Sequence, residues 1–222
     1  MYLMDVVKTA KNITDSVLVG FSGGKDSAVT LDLCFKTFSH VQPFFMYIVK
    51  GLEFQEKTLR YYEKRYDTKI LRVPHFMLAD FYGAGTFRAA DYNVPRIKTV
   101  ELYNYLREKT GIYWIAAGER IADSIVRRAM IKHSGAIDKK RGRIYPIAYW
   151  NKAQVMAYIQ MRKLPLSYEN RYLGFSFRSL MGKDLIKIKK FFPEDYERIK
   201  AVFPLVDAVI KKEEFFNGNK GS

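Results

Sequence analysis

Ser22-Gly23-Gly24-Lys25-Asp26-Ser27 gathers two hydroxyls, a lysine and a carboxylate around a pair of adjacent glycines. Two glycines let a backbone turn tightly and bring its N–H groups close to an anion. Just before it, Ser16–Phe21 is a short run rich in β-branched residues, which reads as a strand buried on both faces. From Asp26 to about Phe38 the pattern turns helical, so a helix N-terminus points its positive end at the same turn. Such an end stabilises an exposed negative charge by about 0.3–1 kcal/mol, and by about 2 kcal/mol when partly buried. The chemistry on offer is capture of a phosphate-like group by backbone N–H donors, with Ser22 and Ser27 adding hydroxyls and Lys25 adding charge. Asp26 and Ser27 are equally able to cap the helix start.

A second set of anion-binding types lies further on, at Arg120, Ser124 and Arg127. The two arginines are seven apart, so on the helix expected over Glu119–Lys132 they share a face and present forked donors to an oxyanion. Their rival role is local, because Asp123 and Arg127 stand at i,i+4. The basic run Lys139-Lys140-Arg141-Gly142-Arg143 is suited either to covering an acidic substrate or to plain solvation. Tyr145 and Trp150 read as packing residues, Asn151 as a helix cap, and His40, His75 and His133 show no metal spacing.

The elements that must position these groups alternate. Strands are expected at Ser16–Phe21, Pro43–Val49, Lys69–Val73, Tyr113–Ala117 and Ile144–Ala148. Helices are expected at Glu53–Tyr66, Lys98–Lys109, Glu119–Lys132, Asn151–Arg162, Ser176–Phe191 and Pro193–Lys212, with long loops at His75–Pro95 and Ser134–Arg143. Strand–helix alternation argues for an α/β fold, a parallel sheet flanked by helices in Rossmann-like fashion, followed by a mostly helical C-terminal part. The expected organisation is an α/β domain over residues 1–150 and a helical extension over 151–222 packed on it.

Lys and Arg outnumber Asp and Glu by 38 to 23, and the resulting +15 concentrates anions near the surface without choosing among them. The single cysteine, Cys34, sits in an apolar run and excludes an intramolecular disulfide or a cysteine-rich metal site within this chain. No signal-peptide core and no long apolar segment is present, so the expectation is a cytoplasmic protein with no membrane partner.

The loop is not a Walker motif, because its two glycines are adjacent. It resembles instead the PP-loop signature S-G-G-x-D-S of the adenine nucleotide alpha-hydrolases, which split ATP between its α and β phosphates. Three later segments are similar to the phosphoadenosine phosphosulfate (PAPS) reductase family and to the small subunit of sulfate adenylyltransferase. They are Gly51-Leu52-Glu53-Phe54-Gln55-Glu56, then Gly118-Glu119-Arg120 with Ser124 and Arg127, then Tyr145-Pro146-Ile147-Ala148-Tyr149-Trp150 with Val155 and Tyr158. The resemblance implies phosphate binding by Ser22–Ser27, anion binding by Arg120, Ser124 and Arg127, and a nucleoside near Phe21, Val49, Lys50 and Gly51. It implies ATP with Mg²⁺, Asp26 being the candidate metal carboxylate, and a reaction that adenylates an acceptor and releases pyrophosphate through Lys25, Asp26 and Arg120. Two departures matter. The C-terminal E-C-G-x-H element of the reductases is missing, so sulfonucleotide reduction by this chain is not expected. Val49-Lys50 stands where relatives carry Asp-Thr, so nucleoside contacts must differ. The implied partners are an adenine nucleotide and an acidic or oxyanion acceptor, with nucleic acid and a partner subunit left open. The overall likeness is to the PAPS reductase-like proteins of phages and mobile elements.

Overall fold

The computed structural model describes residues 5–174, 176–177 and 180–218. In chain order the elements are α1 (Asp5–Lys11), β1 (Ser16–Gly20), α2 (Lys25–Thr37), β2 (His40–Tyr47), α3 (Glu53–Tyr66), β3 (Leu71–Pro74), α4 (Met77–Gly83), α5 (Thr99–Thr110), β4 (Ile115–Ala116), α6 (Ile125–Ser134), β5 (Ile137–Asp138), β6 (Arg143–Ile144), α7 (Lys152–Arg162), α8 (Asn170–Leu173), α9 (Gly182–Phe191), α10 (Pro193–Val202) and α11 (Val206–Gly218). Among the described residues no helix is long and apolar enough to cross a membrane.

The chain divides into two compact units, one of residues 1–46, 61–73 and 103–166, the other of residues 47–60, 74–102 and 167–222. Compactness therefore divides the chain along a different line from the boundary expected at residue 150, and α7 belongs with the sheet.

The first unit carries the sheet, in the order β3-β2-β1-β4-β6-β5. Val17, Leu18 and Val19 are fully buried, because β1 lies in the middle with parallel neighbours on either side, β2 and β4. β4 pairs parallel with β6, and β5 turns back antiparallel to β6. The chain steps outward from β1 to β2 to β3 and then returns to the other side of β1 with β4. In a parallel sheet such a reversal opens a crevice at the carboxyl ends of the two strands, the place where ligands of these folds bind.

The second unit is helical around one apolar cluster that includes Leu52, Phe54, Leu185, Ile188, Tyr196, Ile199 and Phe203. Its α10 supplies an unusual cap. The buried Asp195 carboxylate accepts from the backbone N–H groups of Glu53 (2.7 Å) and Phe54 (3.0 Å), satisfying two orphan donors at the start of α3, and Arg198 holds it at 2.5 Å.

Several expected boundaries move for identifiable reasons. The loop expected at His75–Pro95 contains α4, too short to display a helical period. The helix expected over Pro193–Lys212 is divided at Phe203–Leu205, where Pro204 cannot continue it. The helix expected from Ser176 begins at Gly182, and the loop expected at Ser134–Arg143 holds β5. Between β6 and α7 the expected strand lasts only to Ile144, after which Ala148 and Trp150 donate to Tyr145 and Ile147 in turns. Asn151 is the helix cap expected, with a reciprocal capping box to Gln154.

Candidate active site

At the end of β1 the chain leaves the sheet through Phe21, whose N–H still donates to Phe44 and whose ring packs 4.7 Å from Tyr62. Gly23 then takes φ +75°, a conformation that a side chain would strain. Gly24 is the N-cap of α2 and, being glycine, closes the helix end with no side chain. The first-turn N–H groups of Lys25, Asp26 and Ser27 have no intrahelical acceptor by construction, so they point donors out of the helix end. This replaces the expectation that Asp26 or Ser27 caps the helix. Ser27 instead braces the turn: its hydroxyl donates to the Gly24 carbonyl (2.9 Å), accepts from the Ser22 N–H (3.1 Å) and meets the Ser22 hydroxyl at 3.1 Å.

The segment after β4 arrives at the same place. Gly118 lies against the first turn of α2 so closely that a Cβ there would stand 3.0 Å from the Asp26 carbonyl carbon and oxygen and 3.2 Å from the Ser27 nitrogen. Only glycine permits that approach without a shift. Gly118→Ala is expected to push the turn by a few tenths of an ångström and to weaken ATP binding about tenfold, the scale on which misplacement degrades a site. Calorimetry checks it, and unchanged affinity would show that the close approach has no bearing on the ligand.

Gly118 delivers Arg120, whose side chain is 8% exposed. Its Nε lies 3.2 Å from Asp26 Oδ1 and its Nη2 donates to Asp123 Oδ1 at 2.7 Å. Arg120 Nη1 and Nε are both buried without a hydrogen-bond partner, and so is Asp26 Oδ1, so the Nε–Oδ1 contact is an ion pair alone. Asp26 Oδ2 is held by Lys25 Nζ. The second arginine is placed differently from expectation. α6 starts at Ile125, so Arg120 sits in the turn before the helix and the two arginines do not share a helical face. Ser124 is the N-cap, accepting from the Arg127 N–H at 3.1 Å, which fits its better capping chemistry than Glu119. What joins the arginines is Asp123, which accepts from the Arg120 backbone (2.9 Å) and guanidinium and, at 3.4 Å, from Arg127 Nη1. Arg127 is half exposed, so the i,i+4 contact expected as its rival role is present.

Beside this cluster, Glu119 Oε1 lies 3.6 Å from Arg143 Nη2, and the Arg143 guanidinium sits over the Tyr103 ring at 4.7 Å. Neither Asp123 as the shared carboxylate nor the Glu119–Arg143 pair is visible from spacing; the nearest signal is a glycine directly following a buried strand. Tyr145 and Trp150 are buried as packing residues, Trp150 5.5 Å from the Tyr158 ring. Val49, Lys50 and Gly51 belong to the second unit, with Val49 in its apolar cluster and Gly51 at φ +75°.

The donor set does not fit a protein-held Mg²⁺. The Asp26 carboxylate is already met by two cations, Lys25 and Arg120, and a dication placed there would stand against both. No group of three or more His, Cys, Asp or Glu side chains able to hold a metal occurs among the described residues. Asp26 stands between its two basic neighbours, paired to Lys25 and within ion-pair range of Arg120. Cys34 is fully buried in α2, and burial pushes its thiol up, so the one cysteine offers no thiolate.

A glycine-rich turn between a central parallel strand and its helix, at the switch point of the sheet, places the PP-loop-like sequence Ser22–Ser27 in an α/β fold. More specifically, residues 16–172 match the phosphoadenosine phosphosulfate reductase domain, and the chain belongs to that family. The fold is similar to that of phosphoadenylyl-sulfate (PAPS) reductase from Candida auris in a phosphate complex, with TM-score 0.55 and 19% identity, covering 81% of this chain and 87% of that one. It is also similar to the NH3-dependent NAD synthetase of Campylobacter jejuni, with TM-score 0.51 and 13% identity, covering 97% and 96% of the two chains. Among curated proteins, uncharacterized protein MJ0066 of Methanocaldococcus jannaschii is 27% identical over 207 residues, 87% of this chain and 42% of that protein. MJ0973 of the same organism is 24% identical over 199 residues, 85% and 47%. The chain spans less than half the length of these two relatives.

Proposed function

We propose that the chain binds ATP by its phosphates at Ser22–Ser27 and Arg120 and transfers the adenylyl group to an acceptor, releasing pyrophosphate. The observation that carries this reading is the convergence of an uncapped helix end with the bare, buried Nη1 of Arg120, two sets of donors lacking an anion to complete them. An acceptor oxygen attacks the α-phosphorus, a new P–O bond forms, and the α–β bridging bond breaks with its electron pair leaving on pyrophosphate. Lys25 and the first-turn N–H groups neutralise the leaving charge; Arg120 orients the phosphate that changes geometry. Asp26 and Asp123 keep the two basic side chains in place. Sulfonucleotide reduction is outside this chemistry, because the buried Cys34 has no route to a substrate sulfur.

The test is incubation with ATP and a panel of oxyanion and nucleic-acid acceptors, followed by separation of the nucleotide products. Pyrophosphate with AMP or an adenylated acceptor is the expected result. Cleavage to ADP instead, or absence of ATP binding by calorimetry, overturns the reading.

A further inference from the structure

The far end of α6 opens on a cavity of about 710 Å³ whose walls include Met130, His133, Ile137, Lys139, Lys140 and Arg141. Its one carboxylate, Asp138, is buried and answered by Arg141. Lys139 and Lys140 are exposed and have no acidic side chain within ion-pair range among the described residues. The helix leading to it carries no acid at all, but presents Arg127, Arg128, Lys132 and His133, every one of them exposed. Ten residues make α6 about 15 Å long; Arg128 and Lys132, four apart, share one face of it, and basic side chains extend from Arg127, linked through Asp123 to Arg120, to the cavity rim.

We infer that this face binds a single-stranded nucleic acid, with its phosphates along α6 and one unpaired nucleotide in the cavity. A volume of this size is in the range of about 300–1,000 Å³ that small-ligand sites occupy. Apolar walls from Met130 and Ile137 beside a cationic rim suit a flat base carrying a phosphate. A duplex keeps its bases stacked inside, and an acidic peptide brings carboxylates without a planar apolar body, so neither uses the cavity. The inference rests on the proposed adenylyl transfer for its link to chemistry: the attacking oxygen then belongs to the bound strand.

Fluorescence anisotropy with labelled single-stranded RNA, single-stranded DNA, the matching duplex and poly-glutamate, each over a range of salt, tests it. Single strands are expected to bind most tightly, with affinity falling steeply as salt rises, and the RNA and DNA arms identify the sugar. The K139Q/K140Q double variant is expected to lose about tenfold in strand affinity at low salt and about one unit of the log–log salt slope. Lys132→Gln, on α6 itself, is expected to act in the same direction. ATP affinity is unchanged in all of these, since none of the lysines is in the phosphate turn. Failure to retain single strands at low salt, an unaltered slope in the variants, or equal binding of poly-glutamate overturns the inference. Strand binding that weakens in the variants while ATP yields no pyrophosphate leaves this surface standing and removes the adenylyl-transfer reading alone.

Discussion

Arg120→Met is expected to lower turnover by about 10²–10³-fold, the loss typical of removing one preorganised donor from a developing charge, and to weaken ATP binding with it. Three geometric facts set that magnitude. The side chain is 8% exposed, so its interactions act where water screens little. Its Nη2 donates to Asp123, and its Nε stands within ion-pair range of Asp26 without a hydrogen bond, so two acids flank the guanidinium. Its Nη1 is buried and bare, and an unsatisfied buried donor costs about 1–3 kcal/mol, a cost that an incoming phosphate oxygen removes. Methionine keeps most of the apolar volume but strands two carboxylates, so some loss of stability accompanies the loss of function. Arg120→Lys separates the two: it restores the charge beside Asp26 and Asp123 but cannot offer a fork, and should melt near wild type while remaining impaired with ATP. Arg127→Ala, at a side chain half exposed to solvent, should cost no more than a few-fold. Pyrophosphate release, ATP calorimetry and thermal unfolding with and without ATP give the readouts. Wild-type ATP affinity in Arg120→Met would leave the arginine a merely structural bridge between two acids.

The parts of this site that were legible in the sequence are those whose cause is local. A β-branched run followed by adjacent glycines and a helical pattern specifies strand, turn and helix within a dozen residues, and the glycine turn follows from it. α3 is visible because charged and aromatic residues alternate along its length at helical spacing. The start of α6 was not legible, because the residues from Gly118 to Asp123 are bent by a contact with the first turn of α2, some ninety positions away in the chain. Helical spacing between Arg120 and Arg127 therefore implied a shared face that the chain does not form. β5 and β6, at two residues each, are too short to show any alternation. The cap that Asp195 places on α3 has no signature near either end. The interleaved units escape a reading by composition, because the second is assembled from three separated stretches.

The direction in which α2 points its open end is set near its middle, where Asp32 lies fully buried, seven residues past Lys25. Burial alone would push this carboxyl up. Hydrogen bonds from Arg162 (2.9 and 3.2 Å), Tyr158 (2.7 Å) and Tyr66 (2.7 Å) outweigh it and hold the group below the ordinary carboxylate value. These donors come from α7 and α3, so a single charge ties three helices of the sheet-bearing unit together. Asp32→Asn retains the shape but replaces one acceptor oxygen with an NH2 donor that faces donors, and leaves Arg162 and one tyrosine unanswered. Breaking a buried charged network from one side costs about 3–5 kcal/mol; Arg162 is a third exposed and can recover some hydration, which places the expected loss near 3 kcal/mol in urea unfolding. Because the folded pKa is the lower one, the folded state releases this proton more readily than the unfolded chain. The stabilisation is thus complete above about pH 4 and is lost as pH falls through the folded value. Wild type should therefore lose stability more steeply than Asp32→Asn on acidification below that point. Parallel acid profiles for the two proteins, or a penalty under about 1 kcal/mol at neutral pH, would mean that the three helices are held by apolar packing and that Asp32 is only accommodated there.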